Sequence, residues 1–473
     1  MRKYLYPTTD VGNILTSSLK HEAFKSYVRG NTKTDAPRAV LILQYHGILA
    51  AFRRRKGFGP GEQEWGYATV RPSAHIFWWL YHTTANVSSF YEKPLMIWLQ
   101  GGPGGSSTSF GNFEELGPLD TNLRARNYSW VKDYNVLFID NPVGTGFSYV
   151  ESSMAYTRTN EQIAADLVEC MRDFLKKLPR FASVPTYILT ESYGGKMGAE
   201  FALVWHKAQK AGTIKSNLKG VGLGDAWISP IDSVMTWAPF LLATGMIDSE
   251  GYNEIDKSAK QTKAAVDAGQ WARATNLWGY TENVILQVTD NIDFYNILTK
   301  LSPSLGLKQN KVRNSDNTIP IESTYRMLVQ QESRSLEQLM NGPVKKALGL
   351  TVSHGLQSGI VFRMLQEDFM KPVVDKVELL LNETDINVFV YTGHMDLIVD
   401  TPGTLLWVEK LKWKNIDLWR RSERRPVVSD HVIEGYVKKY NKFAMYWVNR
   451  AGHMVPRDNP AAMARILEDM TRN

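Results

Sequence analysis

The stretch Thr186-Tyr187-Ile188-Leu189-Thr190-Glu191-Ser192-Tyr193-Gly194-Gly195-Lys196 narrows the choice of fold more than any other part of the chain. Residues 186–190 are β-branched, aromatic or leucine, carry no charge and follow Pro185, so they read as a buried strand. Two glycines come soon after Ser192, and a helical pattern starts there. A strand that passes into a helix through so short a turn needs small residues, because the backbone is tight and the helix must lie close to the strand. A serine at such a turn holds its hydroxyl out beyond the end of the sheet, the arrangement called a nucleophile elbow. The common pattern is Gly-x-Ser-x-Gly, and Thr190 stands in the place of the first glycine. Alone, the stretch also fits an ordinary turn, so the reading depends on partners for Ser192 elsewhere.

Strands of the same kind recur on both sides of it. Trp65–Val70 and His75–Tyr81 read as an aromatic hairpin joined by Arg71-Pro72-Ser73. Pro94–Leu99 and Asn135–Asp140 are apolar strands running into glycine-rich turns, and Gly220–Asp225 is a further short strand. Strands apolar throughout are buried on both faces, as in a sheet covered by helices. Between them, Glu161–Leu178 places Ile163, Leu167, Met171, Phe174, Leu175 and Leu178 on one helical side, with Cys170 beside that stripe as a core residue. A second helix runs from Gly194 to Gln209. The alternation predicts an α/β fold with a largely parallel sheet. From about 231 to 350 helices dominate (Glu250–Asp267, Trp271–Val288, Ser323–Leu339), with a polar loop over Asn314–Pro320, which reads as a helical insertion. The strand rhythm resumes at Asn387–Thr392 and Phe443–Val448, and Asn459-Pro460 starts the last helix.

The 473 residues suffice for one large domain or two ordinary ones. The formal net charge of +7 is local: residues 1–60 carry +8 and the remainder −1. This excludes a nucleic-acid-binding body and marks residues 1–61 as a basic, atypical extension, expected to be poorly ordered, ahead of a folded domain over 62–473. Within the extension the apolar run Ala39–Phe52, followed by Arg53-Arg54-Arg55-Lys56, is shorter than the roughly 20 residues of a membrane span. Its distance from Met1 and its trailing basic cluster do not suit a signal peptide. A displaced targeting segment and a basic nuclear or nucleic-acid patch are the alternatives. Cys170 is the one cysteine, so no intramolecular disulfide forms, which by itself suggests a reducing compartment. The sequons at Asn86, Asn127 and Asn382 point instead to the secretory route.

Partners for Ser192 do exist. In α/β-hydrolases an acid and then a histidine follow the nucleophile, each on a loop after a strand. Of the histidines downstream, His206 lies mid-helix, whereas His453 in Gly452-His453-Met454 follows strand 443–448 directly. After strand 387–392 come Asp396 and Asp400, Asp396 being nearer the strand end. A solvated loop histidine and a capping aspartate are the plain alternatives. Three such groups in order, each at a strand end, favour a triad of Ser192, Asp396 and His453 in an α/β-hydrolase fold with a helical cap insertion. The serine is a weak nucleophile until the histidine takes its proton, and the aspartate fixes and stabilises that histidine.

Gly101-Gly102-Pro103-Gly104-Gly105-Ser106-Ser107, Asp140-Asn141-Pro142-Val143-Gly144-Thr145-Gly146-Phe147-Ser148-Tyr149, Glu191-Ser192-Tyr193-Gly194-Gly195, Gly393-x-x-Asp396 and Gly452-His453-Met454-Val455-Pro456 together resemble the serine carboxypeptidase family, from about residue 62 to the end. The resemblance implies a peptidase, without cofactor or metal, that removes the C-terminal residue of peptides or proteins and works best at acidic pH. It implies an oxyanion hole from the backbone N–H groups of Gly102 and Tyr193. It implies recognition of the substrate's terminal carboxylate by Gln100, Gly101 and Glu191, with Glu115 paired to Glu191. Two carboxyls around a third must share protons to bind it. It implies a secreted or lysosomal, vacuolar protein with no nucleic-acid partner and no membrane span, and leaves the oligomeric state open.

Three positions depart from the family's pattern. Gln100 stands for the commoner Asn, Gly105 for a frequent Cys, and Thr190 for the elbow glycine. Relatives with the same triad can transfer the acyl group to an alcohol, and a hydrolase fold can also act as a silent binding module. These are the alternative functions.

Overall fold

The computed structural model describes residues 57–301 and 333–472. The apolar run 39–52, the basic cluster 53–56, the loop expected over 314–320 and the first part of the helix expected from Ser323 lie outside those residues.

The strands are β1 (Gln63–Arg71), β2 (Ala74–Tyr81), β3 (Leu95–Leu99), β4 (Asn135–Ile139), β5 (Tyr149–Val150), β6 (Thr186–Glu191), β7 (Leu218–Gly224), β8 (Asn387–Gly393), β9 (Arg424–Ser429), β10 (Val432–Tyr440) and β11 (Phe443–Val448). They form one sheet in the order β1-β2-β4-β3-β6-β7-β8-β11-β10-β9, with β5 paired to β2. The centre, from β4 through β11, is parallel, and both ends are antiparallel. Strand β6, which carries the elbow, is flanked by β3 and β7, and strand β8 by β7 and β11. The loops after β3, β6, β7, β8 and β11 therefore leave the sheet at one edge, the carboxyl end of the parallel strands, where open α/β sheets build their sites.

Alternation with period 2 sorts the strand side chains to two faces. Ile97, Leu99, Leu137, Ile139, Ile188, Val388 and Val390 face a core shared with helices α1 (Asn160–Lys177) and α2 (Tyr193–Lys210). Met96, Trp98, Val136, Phe138, Tyr187, Leu189, Phe389 and Tyr391 face the C-terminal helix Pro460–Thr471. The central strands are apolar throughout because helices cover both faces. Helix α1 buries Ile163, Leu167, Met171, Phe174 and Leu175 as its spacing predicts, and Cys170 is fully buried among them. The Asn459 side chain caps the C-terminal helix by accepting from the Ala462 N–H, with Pro460 in its first turn.

Between β7 and β8 the described chain is helical: α3 (Pro230–Ala243), α4 (Ser249–Asp267), α5 (Trp271–Val288), then shorter helices up to Val374–Glu383. Strands β9 and β10 have no counterpart in the sequence reading. They lie at the sheet's edge, where Arg424, Arg425 and Lys439 are exposed and no continuous apolar run is needed.

Candidate active site

Ser192 sits between the end of β6 and the first residue of α2, with φ +60° and ψ −130°, a conformation rare for a side-chain-bearing residue. The turn is pinned from both sides. The Ser192 N–H donates to Gly224 O at 3.1 Å, and its carbonyl accepts from the N–H groups of Gly195 and Trp227, each at 2.9 Å. From Thr186 to Leu203 every residue but Ser192 is buried. The fold thus turns this one side chain out of the core, which over-determines a strained backbone in the manner of functional turns.

Thr190, at the glycine place, is accommodated by the helix rather than by the turn. Its hydroxyl donates to Gly222 O at 2.9 Å, and its methyl group lies against Gly198, whose missing Cβ would fall 2.4 Å from Thr190 Cγ2. The loop after β3 closes over the elbow: a Cβ on Gly101 would come within 2.5 Å of Ser192 Cβ and 2.9 Å of Tyr193 N. Gly101 and the start of α2 are therefore adjacent, and Tyr193, as the first residue of the helix, has an N–H with no partner within the helix. The Tyr193 ring is anchored away from the cleft. Its hydroxyl donates to Asp368 Oδ2 at 2.7 Å, and the buried Lys196 ammonium lies 2.6 Å from the same oxygen.

Asp396 and His453 meet at the ends of the neighbouring strands β8 and β11. His453 Nδ1 is 2.8 Å from Asp396 Oδ2, and both side chains are buried. The two loops are laced together by Met395 N–H to Ala451 O at 2.9 Å. The insertion adds Tyr295, whose carbonyl accepts from the His453 N–H at 2.8 Å and whose ring packs on the imidazole at a centroid distance of 4.9 Å. Asp400, the other acid after β8, faces away: it accepts from Thr236 Oγ1 at 2.8 Å and precedes the helix Thr401–Glu409.

Beside the elbow, Gln100, Glu115 and Glu191 form a second cluster. Gln100 Nε2 donates to Glu191 Oε1 at 2.6 Å, while Gln100 Oε1 accepts from Trp98 Nε1 at 2.7 Å. Trp98 thus orients the amide, and the longer arm of Gln in place of Asn is used to reach Glu191. Glu115 comes from the π-helix Ser107–Leu116 and is buried. Burial raises both carboxyls, and each acts on the other. Glu191 is pushed well above the usual carboxylate range by burial and then by the charge of Glu115, with Arg457 pulling it down. Glu115 is raised by burial against its hydrogen bond to Glu191 and the nearby Arg457 charge.

Gly105 is held without a cross-link. The segment at 356–358 runs against it through Ser106 N–H to Leu356 O at 3.1 Å, Ser358 N–H to Gly104 O at 2.9 Å and Gln357 Nε2 to Pro103 O at 2.9 Å. Three other downstream histidines are placed elsewhere, and His431 is exposed in the turn between β9 and β10. His206 faces Asp385, His354 is buried against Ser106 Oγ at 3.0 Å, and His394 Nδ1 lies 3.1 Å from Val448 O. Asn86 and Asn127 are exposed in loops. Asn382 is on a helix, with its amide bonded to Lys412 O and Lys414 N. The sequence reading passed over Arg457, Asp368, Lys196 and Asp225. Only Asp225 carries a local signal, as an acid at the end of an apolar strand.

A serine on a strained strand–helix turn, a histidine backed by a buried carboxylate and backbone N–H groups beside them are the parts of nucleophilic acyl transfer. Fold and site together define an α/β-hydrolase. Residues 56–473 match the serine carboxypeptidase family. The retinoid-inducible serine carboxypeptidase of Rattus norvegicus is 45% identical over 420 residues, covering 87% of this chain and 92% of the relative. Its Homo sapiens counterpart is 44% identical with the same coverage, and serine carboxypeptidase-like 51 of Arabidopsis thaliana is 36% identical over 89% of this chain and 94% of its own length. Among solved structures, Kex1Δp, a prohormone-processing carboxypeptidase from Saccharomyces cerevisiae, shares the fold. Its TM-score is 0.73 at 21% identity, over 87% of this chain and 91% of that one. The chain belongs to the serine carboxypeptidase family and is a peptidase.

Proposed function

We propose that Ser192, His453 and Asp396 are the catalytic triad of this peptidase, and that Gln100, Gly101, Glu115 and Glu191 confine it to the C-terminal bond. The supporting observation is the buried His453–Asp396 pair, at 2.8 Å, on the loops beside the Ser192 turn. His453 takes the Ser192 proton as Oγ attacks the carbonyl carbon of the last peptide bond, and Asp396 steadies the imidazolium. The N–H groups of Gly102 and Tyr193 hold the oxyanion, which only backbone donors in a tight turn can approach so closely. Collapse breaks the C–N bond, His453 returns the proton to the departing amine, and the acyl group stays on Ser192. Water, deprotonated by His453, then releases the shortened peptide.

The departing residue brings its own carboxylate next to Glu191 and Glu115. The pair accepts it only while protons remain to be shared, so binding favours acidic pH. Such a pH suits a lysosomal or secretory setting, which the loop sequons Asn86 and Asn127 also favour. The catalytic domain spans 62–473, with the helices from 231 to 350 as its cap, and the substrates are peptide or protein C-termini. The test compares a peptide with its C-terminally amidated form, by mass spectrometry of the products. Loss of one residue from the free acid and none from the amide is expected. Equal cleavage of both would refute the carboxylate-holding role.

A further inference from the structure

The carboxyl of Asp225 lies within hydrogen-bonding reach of that of Asp396, whose Oδ2 faces His453. Asp225 follows β7, the neighbour of β8, and is buried. Its backbone is bent to φ +38°, a strained value for a side-chain-bearing residue, while its N–H donates to Tyr391 O at 2.9 Å. Asp225 Oδ1 accepts from the Gly393 N–H at 2.9 Å, and the Gly393 carbonyl accepts from the Asp396 N–H at 3.2 Å. The two acids are thus fixed to the two polar groups of one residue, Gly393. The other oxygen of each, Asp225 Oδ2 and Asp396 Oδ1, is buried and has no hydrogen-bond donor on it among the described residues. Two buried carboxyls in reach of one another cannot both be charged, and a single shared proton satisfies both orphan oxygens.

We propose, resting on the triad reading above, that Asp225 is a positioning residue that stays protonated and donates its O–H to Asp396 Oδ1. Asp396 Oδ2 then remains the charged oxygen turned to His453. The proton belongs on Asp225, because Asp396 faces the imidazolium that forms during the reaction while Asp225 makes no ion pair among the described residues. The electrostatics agree: burial, then the Asp396 charge, pushes the Asp225 carboxyl well above the usual range, against the Gly393 N–H. The arrangement holds the Asp396 carboxyl at both oxygens, so the His453 tautomer and ring plane are set before substrate arrives. Without the donor the carboxylate keeps a buried, unsatisfied oxygen and is free to rotate away from Nδ1.

The test compares Asp225→Asn with Asp225→Ala in the full chain, using steady-state peptide hydrolysis. Asn has the same shape and a permanent donor, so Asp225→Asn should keep kcat within about threefold of wild type. Asp225→Ala should lower kcat about 10- to 100-fold with KM nearly unchanged, as for a lost hydrogen bond to a charged group. In the phosphonylated enzyme, the low-field proton resonance of His453 Nδ1–H should persist in Asp225→Asn and move upfield in Asp225→Ala. That readout does not depend on turnover. Equal losses in both variants would overturn the proposal, because the charge of Asp225 and not its donor would then matter. An Asp225→Ala enzyme with wild-type kcat and an unmoved resonance would also overturn it. Asp396→Asn, measured alongside, must be inactive; if it is active the triad assignment fails and this proposal with it.

Discussion

The methyl group of Thr190 occupies the notch left by Gly198 one turn into the following helix, so that a Cβ on Gly198 would lie 2.4 Å from Thr190 Cγ2. The glycine that the elbow pattern expects on the strand has in effect been moved to the helix face opposite it. Gly198→Ala should therefore destabilise the protein by about 1–3 kcal/mol through overpacking. Thr190→Ser removes the methyl and keeps the hydroxyl bond to Gly222 O, so it should restore most of that loss in the double variant. Denaturant unfolding of the four proteins measures the coupling, and simple additivity would contradict the packing account.

On the carboxylate-holding role proposed above, a proton shared by Glu115 and Glu191 should set the pH dependence of the enzyme. Both carboxyls are raised, so the protonated form persists above the ordinary carboxylate range and is lost as pH rises. Once the upper deprotonation of the pair is passed, KM should climb about tenfold per pH unit while kcat holds. Glu191→Gln, which cannot ionise, should flatten that rise. Initial rates between pH 4.5 and 8 decide it, and a KM that is flat in wild type would contradict the assignment.

Gln100 is gripped by Trp98 and in turn grips Glu191. Gln100→Ala removes a hydrogen bond to a charged or proton-sharing acid. It should raise KM for a peptide acid about tenfold, with kcat within about threefold. A matched loss in kcat and kcat/KM would place Gln100 in the transition state instead.

Glu282, on α5, is buried with no hydrogen bond to either carboxyl oxygen among the described residues, and burial holds it well above the usual range. A carboxyl raised in the folded state stabilises the fold at pH below its unfolded value, about 4.3, and that contribution fades as pH rises toward the folded value. Over that window wild type should lose about 1.4 kcal/mol per pH unit relative to Glu282→Gln. Thermal unfolding of both proteins at pH 4 and pH 7 should show the difference in Tm growing with pH. A constant difference would mean that Glu282 titrates alike in the folded and unfolded protein, which contradicts a raised carboxyl.

Much of this arrangement is visible in the sequence because the central strands must be apolar on both faces. Each such run points to its own terminal loop, and Ser192, Asp396 and His453 stand at those ends. The edge strands β9 and β10 escape because water covers their charged side chains. The buried clamps escape for another reason. Lys196 with Asp368, Asp225 with Asp396, and Gly105 with the segment at 356–358 join residues far apart in the chain, and nothing local in either partner announces the other. The role of Gln100 was open for the same reason: its use depends on where Trp98 and Glu191 lie around it.

Ser192 is the group that the proposed triad activates. Labelling with a fluorophosphonate, followed by peptide mapping, tests this most directly. The adduct is expected on Ser192, with labelling and release of the C-terminal residue lost together in a folded Ser192→Ala protein. Undiminished labelling of Ser192→Ala, or a well-folded wild type that takes no label, would contradict it.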